Sequence, residues 1–188
     1  MSKIMILLPN GYEEIEALTV CDFCRRASME VDLVSITGSL ETRGDHNIVI
    51  MADKKLEDVE LSEYDAVVTP GGVAGTNMLK ADSKVLEVIQ IFFESKKLVA
   101  SICASPLVLE AAGVAKKIEG TIYPGFEDKM SYAKFLKQPV VRFKNVITSR
   151  GPATAPLFAY AIIEYLEGKE VEKKVKNATL AHFVFKAD

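Results

Sequence analysis

Short apolar runs alternate with helical patterns along the whole chain, and few folds accommodate that order. The runs predict strands because they are brief and end at turn residues, whereas the segments between them repeat apolar residues at helical spacing. Strands that alternate with helices form βαβ units. The sequence therefore predicts an α/β protein whose mostly parallel sheet is covered by helices on both faces. Runs without polar alternation, such as 4–8, are typical of strands buried on both sides.

The predicted elements follow from this pattern. Strands are predicted at 3–8, 31–36, 66–69, 98–102, 140–143 and 146–148. Helices are predicted at 12–28, 83–94, 106–113 and 155–167. Residues 37–45 predict turns, with a hairpin leading into 47–51. Beyond Gly168, 169–176 predicts a short helix and 179–185 an apolar strand or cap.

Length, charge and cysteine content limit the class of protein. The 188 residues predict one domain spanning 1–188. Lys and Arg total 23 against 26 Asp and Glu, and this net charge of −3 argues against a nucleic-acid-binding platform. The longest uncharged apolar stretch, 98–109, is shorter than the roughly 18 residues of a membrane span. Three cysteines and no export signal predict reduced thiols and a cytoplasmic location.

The candidate nucleophile lies where a predicted strand ends, because sites in open parallel sheets form beyond the carboxyl ends of strands. Cys103 follows the strand at 98–102, and Pro106 suits the first position of a helix that Ser105 would cap. Such a strand–turn–helix elbow exposes a nucleophile above the sheet. The amide of Ala104 would face negative charge on the sulfur. A buried structural cysteine is the alternative interpretation.

Two other strand ends carry candidate partners of this sulfur. The turn 69–75 contains glycines that allow close backbone approach, and the amide of Gly72 is a second candidate oxyanion donor. A simple tight turn is the alternative there. Glu13 and Glu14 fall in the first turn of a predicted helix, where acidic residues commonly face the helix dipole. Glu16 lies one turn further and is predicted to lean toward the strand ends.

The other two cysteines and the two histidines do not predict a redox, catalytic or metal-binding site. Cys21 and Cys24 have C-x-x-C spacing but lie about two turns inside a predicted helix, whereas a redox motif begins at a helix N-terminus. A packed helix face explains them better, and that face is one candidate dimer interface. The further ligand types, Cys103, His46 and His182, have no metal spacing, so no metal site is predicted. Both histidines are predicted at a surface or interface.

Four motifs, taken in order, resemble the ThiJ/PfpI superfamily and, within it, the DJ-one and ThiJ-like protein deglycase branch. The motifs are GYEEIEA at 11–17, TPGG at 69–72, SICASP at 101–106 and TSRGPAT at 148–154. The resemblance implies a flavodoxin-like three-layer sandwich, a homodimer, no cofactor and a reactive cysteine at the elbow. It places Cys103 at the cysteine position and Glu16 at the position of the carboxyl group that contacts it.

The resemblance also carries departures. Tyr123 stands where many relatives have a histidine near the cysteine, which weakens a protease or amidase interpretation. His46 stands where the deglycase branch has an arginine of an anionic pocket. Family arginines near the cysteine pocket or the dimer contact are matched by Arg26 and Arg150. Gly151 and Pro152 follow in the same motif as pocket candidates.

Together, the residues and the resemblance predict a cysteine-dependent, glutathione-independent glyoxalase or deglycase. Its substrates would be methylglyoxal, glyoxal or their early adducts, with Cys103 as nucleophile and Glu16 as acid and base. The alternative is a redox-sensing stress protein or holdase chaperone that uses oxidation of Cys103. A cysteine hydrolase and a family fold with an inert cysteine are the other two hypotheses.

Overall fold

The computed structural model describes residues 1–185. The sequence forms eleven strands within that range, β1 to β11 in chain order: Lys3–Leu8, Glu30–Ser35, Glu41–Arg43, Val49–Met51, Lys54–Lys55, Ala66–Thr69, Leu98–Ile102, Glu119–Gly120, Lys134–Phe135, Val140–Phe143 and Val146–Ser149. Six α-helices, α1 to α6, are Glu14–Arg26, Val73–Ala81, Ser83–Glu94, Pro106–Ala111, Ala155–Glu167 and Lys169–Ala178. Short 3-10 helices are Leu56–Asp58, Leu61–Glu63, Ala115–Lys117, Glu127–Lys129, Pro152–Thr154 and Ala181–Phe183.

Seven strands form the central sheet in the order β10-β11-β7-β6-β1-β2-β5. Only β10 runs antiparallel to its neighbour, so the prediction of a mostly parallel sheet is confirmed. Two small additional sheets pair β3 with β4 and β8 with β9. The β3–β4 pair is antiparallel and confirms the predicted hairpin.

Burial on both faces of the sheet explains the uniformly apolar strands. Along β1, Ile4, Ile6 and Leu8 pack in one core cluster, which includes side chains of α1 and α5. Met5 and Leu7 point the other way into a second cluster, which includes side chains of α3 and α4. The period-2 alternation of a strand thus distributes consecutive apolar residues between two cores. The result is the predicted three-layer arrangement.

Some predicted boundaries were wrong. The helix predicted at 12–28 begins at Glu14 and ends at Arg26. Helix α2 was not predicted, because its segment contains glycine, threonine and asparagine, which favour helices weakly. Residues 179–185 form a turn and a 3-10 helix instead of a strand, although the short helix before them is confirmed as α6. Within residues 1–185, no helix is both long and apolar enough to cross a bilayer.

Candidate active site

The carboxyl ends of β1, β6 and β7 meet at one edge of the sheet, because these neighbouring strands are parallel. The loop after β1 leads into α1, the loop after β6 contains Gly71 and Gly72, and β7 ends at Ile102, immediately before Cys103. The residues that the sequence placed at separate strand ends therefore share one region. The topological expectation for sites in open α/β sheets is met here.

Cys103 occupies the predicted elbow between β7 and α4. Its φ of 64° lies in the left-handed region, which is uncommon for a residue with a side chain and concentrates at functional sites. The backbone is held on both sides: its N–H donates to the carbonyl of Ser149 at 3.0 Å, and its carbonyl accepts from the N–H of Tyr123 at 2.9 Å. The side chain is half-buried, whereas Cys21 and Cys24 are buried. The elbow therefore exposes one of the three thiols.

The prediction that the Ser105 side chain caps α4 was wrong. Ser105 does occupy the N-cap position and Pro106 the first helical position, but the serine side chain makes no capping hydrogen bond. Its backbone is already helical, with φ of −64° and ψ of −20°, instead of the extended conformation typical of a capping serine. The hydroxyl is buried without a partner among the described residues.

Glu16 lies beside Cys103, with Gly71 between them. The carboxyl group is fully buried, and its Oε2 accepts a hydrogen bond of 2.7 Å from the N–H of Gly71. A Cβ placed on Gly71 would lie 2.5 Å from the Cβ of Cys103, 2.5 Å from Oε2 of Glu16 and 3.1 Å from the sulfur. No side chain fits between the two groups, so the absence of a Cβ at Gly71 is what lets them approach.

Gly71 is a site residue that the sequence reasoning missed. The sequence predicts an oxyanion role for the amide of Gly72 in the same turn and no separate role for the preceding glycine. The available signal was the consecutive pair of glycines after Pro70, at the carboxyl end of a buried strand. Sequence spacing alone does not show that two side chains converge on one of them, since Glu16 is 55 residues away.

Burial raises the pKa of Glu16 to about 7, although hydrogen bonds with the Gly71 amide and with Cys103 oppose the shift. Burial also raises the pKa of the Cys103 thiol, and the charge of an ionised Glu16 raises it further. The amides of Ala104 and Gly72 act in the opposite direction, because they stabilise negative charge on the sulfur. The two groups therefore titrate as a coupled pair, in which the charge of one opposes the ionisation of the other.

The hydrogen-bond pattern of the two carboxyl oxygens indicates the protonation state of Glu16. Oε2 of Glu16 accepts from Gly71, whereas Oε1 is buried and has no partner among the described residues. An ionised carboxylate would leave a charged oxygen buried and unpaired, which is costly. The hydrogen-bond pattern therefore favours a protonated Glu16, in agreement with the pKa that burial raises.

Four of the pocket candidates belong to two segments beside the elbow. Tyr123 donates to the Cys103 carbonyl and its ring covers Gly151, where a Cβ would come within 3.2 Å of the ring. Arg150 lies mostly buried, with one nitrogen 3.3 Å from the hydroxyl of Thr121. Another of its nitrogens is 3.6 Å from Oε1 of Glu127, so Arg150 forms an ion pair with the loop that contains Tyr123. Pro152 begins the 3-10 helix that follows.

His46 and Arg26 do not contact the Cys103 and Glu16 pair. Arg26 pairs with Asp22, and it lies ten residues beyond Glu16 on α1, which is about 15 Å along the helix axis. The structure therefore contradicts a place for Arg26 in this chain's cysteine pocket, while a role at a dimer contact stays a prediction. His46 lies on the surface, as predicted, with its ring against Glu14.

Cys21 and Cys24 pack inside the chain. Both belong to the core cluster between α1 and α5, with exposed fractions of 5% and 0%. Burial raises the pKa of both thiols and, unlike Cys103, both are covered by the core. The prediction of a packed helix face is confirmed. The prediction that this face forms a dimer interface was wrong, because the chain itself covers it.

Similarity to known proteins extends over most of the chain. Residues 2–165 match the DJ-1/PfpI family. The chain is 36% identical over 178 residues to the Parkinson disease protein 7 homolog of Danio rerio, covering 93% of this chain and 94% of that protein. It is 34% identical over 179 residues to Protein DJ-1 homolog B of Arabidopsis thaliana, covering 95% of this chain but only 41% of that longer protein.

Solved structures agree with the sequence matches. The structure of oxidised Toxoplasma gondii DJ-1 superposes with a TM-score of 0.92 at 31% identity, covering 96% of this chain and 98% of that one. This likeness confirms the flavodoxin-like sandwich that the resemblance implied. The match over most of the chain, in both sequence and structure, shows that the chain belongs to the DJ-1/PfpI family.

Proposed function

We propose that this protein is a cysteine-dependent, glutathione-independent glyoxalase or deglycase that acts on methylglyoxal, glyoxal or their early adducts. The observation that carries the proposal is the approach of Glu16 to Cys103 across Gly71. A buried carboxyl group beside an elbow thiol supplies both a nucleophile and a group that can give and take a proton. The activity needs no metal, nucleotide or second thiol.

In the reactive form proposed here, the pair has lost one proton and carries its negative charge on the sulfur. Burial penalises a charge on either group, so it does not by itself decide between them. Two backbone amides, of Gly72 and Ala104, support charge on the sulfur, whereas one amide, of Gly71, faces the carboxyl group. A neutral Glu16 also contributes a charge-assisted hydrogen bond to the thiolate, worth about 1.5–3 kcal/mol.

The proposed reaction begins when the Cys103 thiolate attacks the aldehyde carbon of methylglyoxal. A C–S bond forms, the carbonyl electrons move to oxygen, and the amides of Gly72 and Ala104 stabilise the resulting oxyanion. Glu16 protonates that oxygen, and as a carboxylate then moves a proton from the former aldehyde carbon to its neighbour. The resulting thioester is hydrolysed by one water, which releases lactate and restores the thiol. Glyoxal gives glycolate by the same steps.

Deglycation uses the same groups on a different leaving group. Early methylglyoxal adducts of cysteine, lysine or arginine side chains, or of nucleotides, present the same two-carbon unit to the thiolate. The proton from Glu16 would then assist departure of the modified nitrogen or sulfur. The two histidines lie away from the elbow, at the β3–β4 turn and in the last 3-10 helix. The proposal therefore assigns proton transfer to Glu16 instead of a histidine.

Lactate formation from methylglyoxal, without added thiol, tests the proposal. We expect Cys103→Ala and Glu16→Gln each to lower the rate at least 100-fold, because each removes a group that takes part in a covalent or proton-transfer step. Cys21→Ala is the matched control, since it removes a thiol that the core covers, and it should retain the rate. Wild-type rates in either site variant would disprove the proposal.

A second candidate function is redox sensing through Cys103, alone or as a holdase chaperone. The favouring observation is that Cys103 is half-buried while the other two thiols are buried. Among solved relatives, Toxoplasma gondii DJ-1 is known in an oxidised form. Peroxide treatment followed by mass mapping of each cysteine should show sulfenic or sulfinic acid at Cys103 first. Equal oxidation at Cys21 and Cys24 would exclude this function.

We also propose that the protein is a homodimer, with a contact face different from the one the cysteines suggested. Ile15 and Leu18 on α1 and Ile48 on the β3–β4 hairpin line one shallow groove, with exposed fractions of 55%, 38% and 51%. Exposed apolar groups gathered in one place are typical of interaction surfaces. A second copy of the chain would cover them. The cytoplasmic location stays a prediction.

A further inference from the structure

The conformation of Cys103 depends on a segment that lies outside the central sheet. Its φ of 64° is in the left-handed region, and a residue with a side chain keeps such a conformation only where the surrounding structure imposes it. Two backbone hydrogen bonds do so, one with Ser149 and one with Tyr123. Ser149 ends β11, which pairs with β7 in the sheet, whereas Tyr123 belongs to the segment that follows β8. The second contact is therefore only as firm as the attachment of that segment.

Thr121 attaches this segment to the end of β11. The residue is fully buried and lies two positions before Tyr123. Its N–H donates to Oγ1 of Thr148 at 2.9 Å, and its carbonyl accepts from the hydroxyl of Tyr132 at 3.0 Å. Its Oγ1 accepts from Nη1 of Arg150 at 3.3 Å. Each polar atom of Thr121 thus has a partner, and the arginine is the partner of the hydroxyl.

Arg150 also contacts the segment beyond Tyr123. Its Nη2 is 3.6 Å from Oε1 of Glu127, while Oε2 of the same carboxylate accepts a hydrogen bond of 2.6 Å from the N–H of Gly125. The guanidinium carbon lies 5.8 Å from the ring centroid of Phe135 on β9. The planar guanidinium group offers several donors in a fixed geometry. A single side chain therefore holds the segment 119–135 on both sides of Tyr123.

The place of Arg150 in the chain connects these contacts with the sulfur. Arg150 directly follows Ser149, whose carbonyl accepts from the N–H of Cys103 at 3.0 Å. Its backbone is therefore next to one contact that holds the elbow, and its side chain holds the segment that supplies the other. The side chain is 14% exposed, so solvent screens its ion pair less than the ion pairs of surface arginines.

We propose that Arg150 is a positioning residue, which fixes the left-handed conformation of Cys103 by attaching the segment 119–135 to the end of β11. The amides of Gly72 and Ala104 stabilise charge on the sulfur, and they can do so only while the elbow keeps the sulfur in front of them. Arg150 acts through the backbone, since its guanidinium nitrogens face other groups. A role in turnover rests on the proposed function, whereas the effect on the thiol can be measured without a substrate.

Alkylation of the full-length protein with iodoacetamide over a range of pH, with each cysteine mapped by peptide mass spectrometry, tests the proposal. We expect Arg150→Met to lower the rate at Cys103 about tenfold at pH 7 and to move the inflection of the pH profile upward by about one unit, because the amides then face the thiolate less well. The rate above the inflection should match that of the wild type, since the substitution does not cover the sulfur.

Three further variants separate positioning from folding. Thr121→Val keeps the shape of the side chain but removes the atom that accepts from Arg150, so it should shift the profile in the same direction. Arg150→Lys keeps a positive charge near Glu127 and should restore part of the rate. Arg25→Met is the matched control, because Arg25 also makes a hydrogen bond and an ion pair but lies near the end of α1 away from Glu16. It should follow the wild type.

Three results would overturn the proposal: an unchanged pH profile in Arg150→Met, a rate lowered equally at every pH, or an equal shift in Arg25→Met. If Arg150→Met unfolds, Thr121→Val decides the question, and a wild-type profile in that variant is the contradicting result. Lactate formation separates this proposal from the proposed function. A wild type that forms no lactate would refute the proposed function, while the alkylation profiles would still decide the role of Arg150.

Discussion

Glu16 shows how one residue connects stability with reactivity. Its carboxyl group is fully buried, and burial raises its pKa to about 7. A group with a raised folded-state pKa favours the folded protein when it is protonated. Its contribution is therefore full below the unfolded pKa of 4.5 and is lost as the pH rises through about 7.

Glu16→Gln should remove this pH dependence. We expect the free energy of unfolding of the wild type to fall relative to the variant by about 3 kcal/mol between pH 4 and pH 8. Urea unfolding at a series of pH values measures the difference. Glu87→Gln, at an exposed position on α3, is the control and should follow the wild type at every pH. A constant difference between wild type and Glu16→Gln would contradict the assignment.

The sequence predicted some site residues and not others, for a physical reason. Cys103 and Glu16 were identifiable because each follows a strand end at a recognisable position in a motif. Gly71 was not, because its importance depends on what occupies the space beside it. Glu14 was interpreted as an ordinary partner of the helix dipole, but the structure buries it against the hairpin. Contacts over long sequence separations leave no local pattern.

Among the elements, those with strong periodicity were predicted best. The bounds of α3, α5, β6 and β7 match the predicted ranges. These segments carry apolar residues at a regular spacing that the core then uses. Helix α2 lacks that signal, and its N-cap Gly72 has a φ of 88°, a conformation that glycine adopts without strain. Its position between β6 and α3 depends on packing more than on intrinsic propensity.

The α1 helix carries apolar residues on two faces, and only one of them is buried within the chain. The face that carries Cys21 and Cys24 packs against α5, where Phe23 stacks on Tyr160 with ring centroids 5.2 Å apart. The face that carries Ile15 and Leu18 is exposed instead. Both faces contain apolar residues, so the sequence did not distinguish the one that the chain covers.

At the scale of the whole molecule, that exposed face predicts the oligomeric state. We expect Leu18→Glu to convert a dimer into a monomer, because it places a charge in the groove that a second copy would cover. Ile91→Glu on α3 is a matched control, since Ile91 and Leu18 are both 38% exposed. Light scattering after size-exclusion chromatography measures the mass. A monomeric wild type, or a dimeric Leu18→Glu variant, would contradict the proposed interface.

The sequence by itself determined the alternation of strands and helices, the burial of the sheet on both faces and the edge at which the loops meet. Each depends on the spacing of residues along a short segment, which is a local property. The tertiary structure decided which side chains converge: Glu16 with Gly71 across 55 positions, and Glu14 with His46 across 32. Such contacts depend on how elements pack in three dimensions, and no local periodicity encodes that packing.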